Sequence, residues 1–200
     1  MTTTVPRLAP LPLERWEGGQ RAMLRGQLAM ADRYLVDDGD VPPLPNVLGL
    51  FAHHPALAAP FLALSSALST ETALPARDRE LLVLRVSWRT RCAYEWGQHV
   101  RLGGTFGLTD DDIAGTALEV DAHPWSARDR ALVAAADELI AAHCIGDETW
   151  ADLSAHLAEQ EVLEVMFVVG TYLSLALLMN SVGLQPDPGS DTALPTAQEA

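Results

Sequence analysis

Residues Glu80–Gly107 read ELLVLRVSWRTRCAYEWGQHVRLGGTFG. In the slightly wider span Arg77–Thr90, apolar positions at Leu81, Leu82, Leu84, Val86 and Trp88 crowd more than one face, which predicts a mostly buried helix. Cys92–Phe106 predicts an amphipathic helix closing at Gly103, Gly104 and Gly107. On one helix, Cys92, Glu95 and His99 fall along a single stripe. If that helix is continuous, Trp88 and Trp96, four residues to either side of Cys92, flank the stripe.

A thiol, a carboxylate and an imidazole side by side admit chemistry. A carboxylate one turn from a histidine fixes its tautomer and raises its basicity. Burial beside tryptophans pushes the Glu95 carboxyl upward, and such a pair can take a proton from carbon and return it. Cys92 could act as a nucleophile if His99 or a helix N-terminus stabilised its thiolate. The same spacing also fits a solvated helix face, and a lone helical cysteine also fits a small core residue. Two ligands, Glu95 and His99, fall short of a catalytic zinc set, and no metal is expected. His53 and His54 are adjacent and point apart on most backbones. His123, His143 and His156 read as surface or helix-end residues.

Outward from this stretch the signals are helical, and strand alternation is nearly absent. Glu14 to about Tyr34 reads as a first helix, Asp37–Pro45 as a proline-rich loop and Asn46–Phe51 as a short segment. Pro55 opens a helix to about Ser69, bent or delayed at Pro60. Thr109 and Ser126 start later helices, with Asp110, Asp111 and Asp112 favouring a positive N-terminus. Asp147–Ala158 and Glu161–Val182 complete the set, and the tail from Gln185 has little to bury. Ala76-Arg77-Asp78-Arg79 recurs as Ala127-Arg128-Asp129-Arg130, each copy opening an apolar helix, which suggests a duplicated unit.

The 200 residues suit one domain, expected over 1–184 with a mobile tail over 185–200. A net charge of −14 argues against nucleic acid or an anionic membrane as partner. The start lacks a signal-peptide pattern, and the apolar run Val165–Met179 is short for a span, so a buried core helix and a cytoplasmic location are expected. Cys92 and Cys144 are too few for a disulfide scaffold. No dinucleotide, phosphate-loop or nucleophile-elbow pattern occurs, so no cofactor is expected.

The string RDRELLVLRVSWRTRCAYEWGQH followed by VRLGGTFGLTDDDIAG resembles the carboxymuconolactone decarboxylase / alkylhydroperoxidase D family, more loosely from about Pro45 to Leu184. The resemblance implies an all-α bundle with a degenerate internal repeat, homo-oligomers and a small-molecule substrate. It also implies one of two chemistries. The peroxidase branch carries a Glu, then C-x-x-C, then His; Glu80, Cys92 and His99 match those positions, while Glu95 stands where the second cysteine belongs. A dithiol cycle needs two thiols in bonding reach. The retained Glu95 and His99 look like the cofactor-free decarboxylase branch, with Tyr94 and Trp96 as pocket lining beside Trp88. The resemblance thus implies a lyase or isomerase using His99, Glu95, Glu80 and Cys92 on a small carbonyl or carboxylated metabolite. The alternatives are a single-cysteine peroxidase resolved by an external thiol, and a non-catalytic ligand-binding oligomer. An anionic substrate needs a local cation, for which Arg85, Arg89, Arg91 and Arg101 are the candidates.

Overall fold

The computed structural model describes residues 5–25, 34–35, 43–188 and 193–195. Among them are nine α-helices and no strand, in two compact units. The first unit is built from residues 1–71 and 181–189. It holds α1 (Gly18–Leu24), α2 (Asn46–Phe51) and α3 (Pro55–Thr70), with a 3-10 turn at Leu13–Arg15. The expected first helix therefore begins later, at Gly18, because Glu14 sits in that turn and Glu17 caps α1. Its expected continuation beyond Arg25, and residues 36–42 of the expected loop, lie outside the described residues. Trp16, Met23, Leu24, Leu48, Ala58 and Leu62 form the core of this unit. A Cβ on Gly49 would stand 2.7 Å from Pro10, so only glycine allows the Leu11 amide to reach the Gly49 carbonyl.

Pro60 does not delay α3, which starts at Pro55 and runs through it. The tail is tied at its start. The Asn46 amide donates to Asp187 at 2.7 Å, and the Asn46 side chain donates to the Gln185 carbonyl at 3.0 Å.

The second unit, residues 72–180 with 190–200, carries α4 (Ala76–Arg89), α5 (Ala93–Thr105), α6 (Asp110–Gly115), α7 (Ala127–Ala141), α8 (Asp147–His156) and most of α9 (Glu159–Val182). Thr109 caps α6 in a capping box with Asp112, and Ser126 caps α7, as their sequence positions predict. α4 is the centre: it packs against α5 and α7, and its burial extends to Asp78, Arg79, Glu80, Arg85 and Ser87. α9 is long and apolar enough to cross a bilayer by length and composition, and 56% of its most apolar window is buried inside the protein.

The recurring Ala-Arg-Asp-Arg strings meet each other. Arg77 of the first copy donates to Asp129 of the second at 2.6 and 3.2 Å, and Arg128 of the second donates to Asp78 of the first at 2.8 Å. Exchange of partners between equivalent positions is the signature of a two-fold relation, here between two halves of one chain. Further along α4, Arg85 is fully buried. Its guanidinium grips Asp137 of α7 at 2.7 and 2.6 Å and donates to the Thr116 and Leu118 carbonyls. Arg89 shares the same Asp137. Burial pushes the Asp137 carboxyl up, but the hydrogen bonds from Arg89 and Arg85 more than offset this and hold it below its usual range.

α4 and α5 are two helices, not one. Thr90 caps α4, and Arg91 takes the left-handed conformation with φ 56°. The Arg91 amide then donates to the Trp88 carbonyl at 3.1 Å and the Cys92 amide to the Ser87 carbonyl at 2.9 Å, the bond pattern that usually ends on glycine. A second such closure ends α5 at Gly107, φ 98°, so α5 continues through Gly103 and Gly104. Arg91→Gly is expected to stabilise the protein by about 0.5–1 kcal/mol, the left-handed cost of a side chain less glycine's greater unfolded freedom. Thermal unfolding of the two proteins measures it, and a lower midpoint for the glycine variant contradicts the account.

Candidate functional site

The reversal at Arg91 decides what the chemical residues meet. Cys92 is the N-cap of α5 rather than a mid-helix residue, and Glu95 and His99 follow on the first two turns. Cys92 is fully buried, with Sγ 3.9 Å from the Met179 sulfur of α9. Burial, and secondarily the Glu95 carboxyl, push its thiol up to about 12 despite the helix N-terminus.

Because α5 folds back on α4, His99 faces Glu80. Nδ1 of His99 lies 2.6 Å from Glu80 Oε2, and the imidazole side chain is 12% exposed. Arg79 Nε donates to the other Glu80 oxygen at 3.3 Å while its guanidinium lies over the Phe106 ring. The carboxylate against His99 is therefore Glu80, from a different helix, and not Glu95 one turn away. Tyr172 of α9, which sequence reasoning missed, meets the His99 ring edge-on at 5.1 Å. Burial, and after it the Glu80 carboxylate, push its phenol upward, so it stays a neutral hydroxyl.

Glu95 is 2% exposed, and its Oε1 has no hydrogen-bond partner. Its Oε2 lies 3.3 Å from Ser87 Oγ, which lies only 2.7 Å from the Val83 carbonyl oxygen. A hydroxyl has one hydrogen, and the shorter contact takes it. A protonated Glu95 completes the pair by donating to Ser87 Oγ. Burial accordingly pushes the Glu95 carboxyl well above its usual range, with the Ser87 contact working the other way.

The remaining expected residues divide. Tyr94 and Trp96 are buried on α5. Trp88 does not flank a continuous stripe; its ring is covered by the guanidiniums of Arg85 and Arg89 at 5.0 and 5.2 Å, which Asp137 holds in place. Arg91 and Arg101 are exposed. His54 caps α3 through Nδ1, and His53 bonds the Ala9 carbonyl. His123 is a helix-end residue, following a 3-10 turn at Val120–Ala122, and its ring packs on Gly115 and Trp125. Two open grooves of about 500 Å³ each, one along Trp150, Leu157 and Met166 and one along Pro10, Leu11 and Asn46, share no residue with the site.

Residues 55–138, which contain α4, α5 and every site residue except Tyr172 and Met179, match the model of the carboxymuconolactone decarboxylase family. The match covers the helices that build the site and less than half of the chain. The helical architecture is shared with solved structures of low sequence identity. An uncharacterized peroxidase-related protein with an alkylhydroperoxidase AhpD core, from Ralstonia eutropha JMP134, superposes with a TM-score of 0.76 at 18% identity over 94% of this chain and 95% of that one. A peroxidase-related protein from Silicibacter sp. TM1040 gives 0.70 at 18%, over 97% and 95%. The debrominase Bmp8 gives 0.71 at 16%, over 95% and 96%. A Cys→Ala variant of Bmp8 in complex with 2,3,4-tribromopyrrole gives 0.69 at 17%, over 95% of each chain. No curated protein matches the chain.

Within the matched segment, Glu95 stands three residues after Cys92, where the resemblance drawn from the sequence leads us to expect a second cysteine in a peroxidase. Its buried, neutral carboxyl leaves Cys92 with no thiol partner there; the other cysteine, Cys144, is exposed in the turn after α7. Two measurements check these assignments. Iodoacetamide on the native protein near pH 8 is expected to label Cys144 and spare Cys92, whose thiolate fraction is roughly 10⁻⁴ for a thiol near 12; labelling of both at similar rates contradicts the burial argument. Glu95 has a folded-state pKa above its unfolded one, so the stability of its neutral form is fully present below the unfolded value and is lost as pH rises toward the folded one. Glu95→Gln should therefore match wild type near pH 4 and gain on it steadily toward neutral pH, by up to about 1.4 kcal/mol per unit. A pH-independent difference in unfolding free energy rejects the neutral Glu95.

Proposed function

We propose that this protein is a cofactor-independent lyase or isomerase that moves a proton on a small carbonyl or carboxylated metabolite. The observation that carries the reading is the 2.6 Å contact between His99 Nδ1 and Glu80, beside a buried neutral Glu95. Glu80 accepts the Nδ1 hydrogen, fixing the tautomer and leaving the Nε2 lone pair to act as base. Arg79 holds the second Glu80 oxygen, which keeps the carboxylate oriented toward His99. His99 then removes a proton alpha to the carbonyl, giving an enolate. The Tyr172 hydroxyl, against the His99 ring, is the neutral donor at hand for the enolate oxygen, and His99 returns the proton to carbon. In a decarboxylation the departing CO2 leaves the same enolate, and His99, having first taken a proton from solvent water on Nε2, delivers it to carbon. The buried Cys92 thiol, pushed up to about 12, is the feature that weighs against a single-cysteine peroxidase. Bmp8, with 2,3,4-tribromopyrrole bound, supports the reading that this fold admits small rings.

The test begins with consumption of an organic hydroperoxide under excess dithiothreitol, comparing wild type with Cys92→Ser. The expected result is no loss above background for either. Carbonyl compounds and carboxylated lactones are then screened for solvent deuterium uptake and CO2 release. Activity found there should fall about 10²–10⁴-fold in His99→Gln and in Glu80→Gln, and survive in Cys92→Ser. Peroxide loss that disappears in Cys92→Ser overturns the reading.

Glu95→Cys places two thiols one helical turn apart at a helix N-terminus, where thiolates are favoured. This variant is expected to close a Cys92 disulfide on oxidation and to gain dithiothreitol-dependent peroxide consumption. A reduced thiol pair under the same oxidant, seen by mass spectrometry, shows that more than this one carboxylate separates the two chemistries.

A further inference from the structure

The acid–base reading leaves two substrate classes open, an uncharged carbonyl compound and a carboxylate anion, and the charges around His99 choose between them. Arg79 is the guanidinium in contact with the relay, and it is bonded to Glu80 and laid over Phe106. Arg85 is fully buried and held by Asp137 with the Thr116 and Leu118 carbonyls. Arg89 is divided between Asp137 and Glu119. Arg91 and Arg101 are exposed. The expected local cations are thus committed elsewhere or turned to solvent. An entering carboxylate meets Glu80 without a counter-ion of its own, and burying an unmatched charge is costly.

The second observation is a buried acceptor without a partner. Buried polar atoms without partners are uncommon in folded proteins. Glu95 Oε1 is one, at the end of a side chain 2% exposed whose other oxygen is engaged by Ser87. It calls for a hydrogen-bond donor, which a carboxylate anion lacks.

We propose that the ligand of this site is an uncharged small molecule that presents an O–H or N–H donor to Glu95 Oε1. The inference rests on the acid–base reading for the location of the site, but its test measures binding and not turnover. A missing lyase activity leaves it standing, and a missing binding preference leaves the Glu80–His99 relay standing.

Phenol, anisole and benzoate are rings of similar size that differ in donor and charge. Each is titrated at neutral pH into the full-length protein while the His99 imidazole proton resonance, assigned by its loss in His99→Gln, is followed by NMR. The expected result is a saturable shift with phenol, affinity for anisole about tenfold weaker through the lost hydrogen bond, and no binding of benzoate over the same range. Glu95→Gln, which keeps an acceptor oxygen, should retain the preference for phenol over anisole. Glu95→Leu should abolish it. Benzoate binding as tightly as phenol, equal affinities for phenol and anisole in wild type, or no saturable shift with any of the three overturns the proposal, whether or not Glu95→Leu folds.

Discussion

A helix buried on every side cannot leave its charges unmatched. α4 takes Asp78, Arg79, Glu80 and Arg85 out of water together with Leu81, Leu82, Val83, Leu84 and Val86. Each buried ion stays ionised only with an opposite charge at hydrogen-bond distance. Most of the second unit's arrangement follows from that requirement. Asp78 and Arg85 fix where α7 lies, and Glu80 fixes which face of α5 turns inward, since His99 and Arg79 satisfy its two oxygens. The helix that organises the core also supplies the carboxylate of the candidate relay, so removing Glu80 leaves Arg79 buried with one partner fewer.

What the sequence discloses and what it hides differ in kind. Thr109, Ser126 and Pro55 announce their helices through local chemistry, because a cap or an N-terminal proline acts within one turn. The buried character of α4 follows from apolar density alone. The pairing of His99 is another matter. Glu95 is its neighbour by helical spacing, yet Glu80, nineteen positions away, is its partner. Only the reversal at Arg91 brings them together, and an arginine in a left-handed turn gives no glycine signal to read. Glu80 enters the sequence reading through the family resemblance, not through spacing. Tyr172 arrives from α9 and carries no local mark at all.

The duplication divides labour between its copies. Arg77 and Asp78 have working counterparts in Arg128 and Asp129, and the four close on each other. The next positions diverge: Arg79 is buried on Glu80, whereas Arg130 is an exposed residue paired with Asp121, and the residue after it is Ala131. Symmetry is retained where the halves join and given up where one of them sets Glu80 against His99. The candidate site thus stands on one half of a scaffold whose other half braces it.

The ties between α4 and α7 also set an order of events during synthesis. Arg77 and Asp129, Arg128 and Asp78, and Arg85 and Asp137 are separated by 52, 50 and 52 residues. A chain made from its N-terminus completes α4 well before any of α7 exists to receive it. In that interval α4 has only α5 and α6 to cover it, and Asp78 and Arg85 still await their partners on α7. A nascent chain in this state exposes the kind of surface that aggregates or recruits chaperones. The design that makes the finished core self-neutralising leaves its unfinished form dependent on the speed at which the next fifty residues emerge.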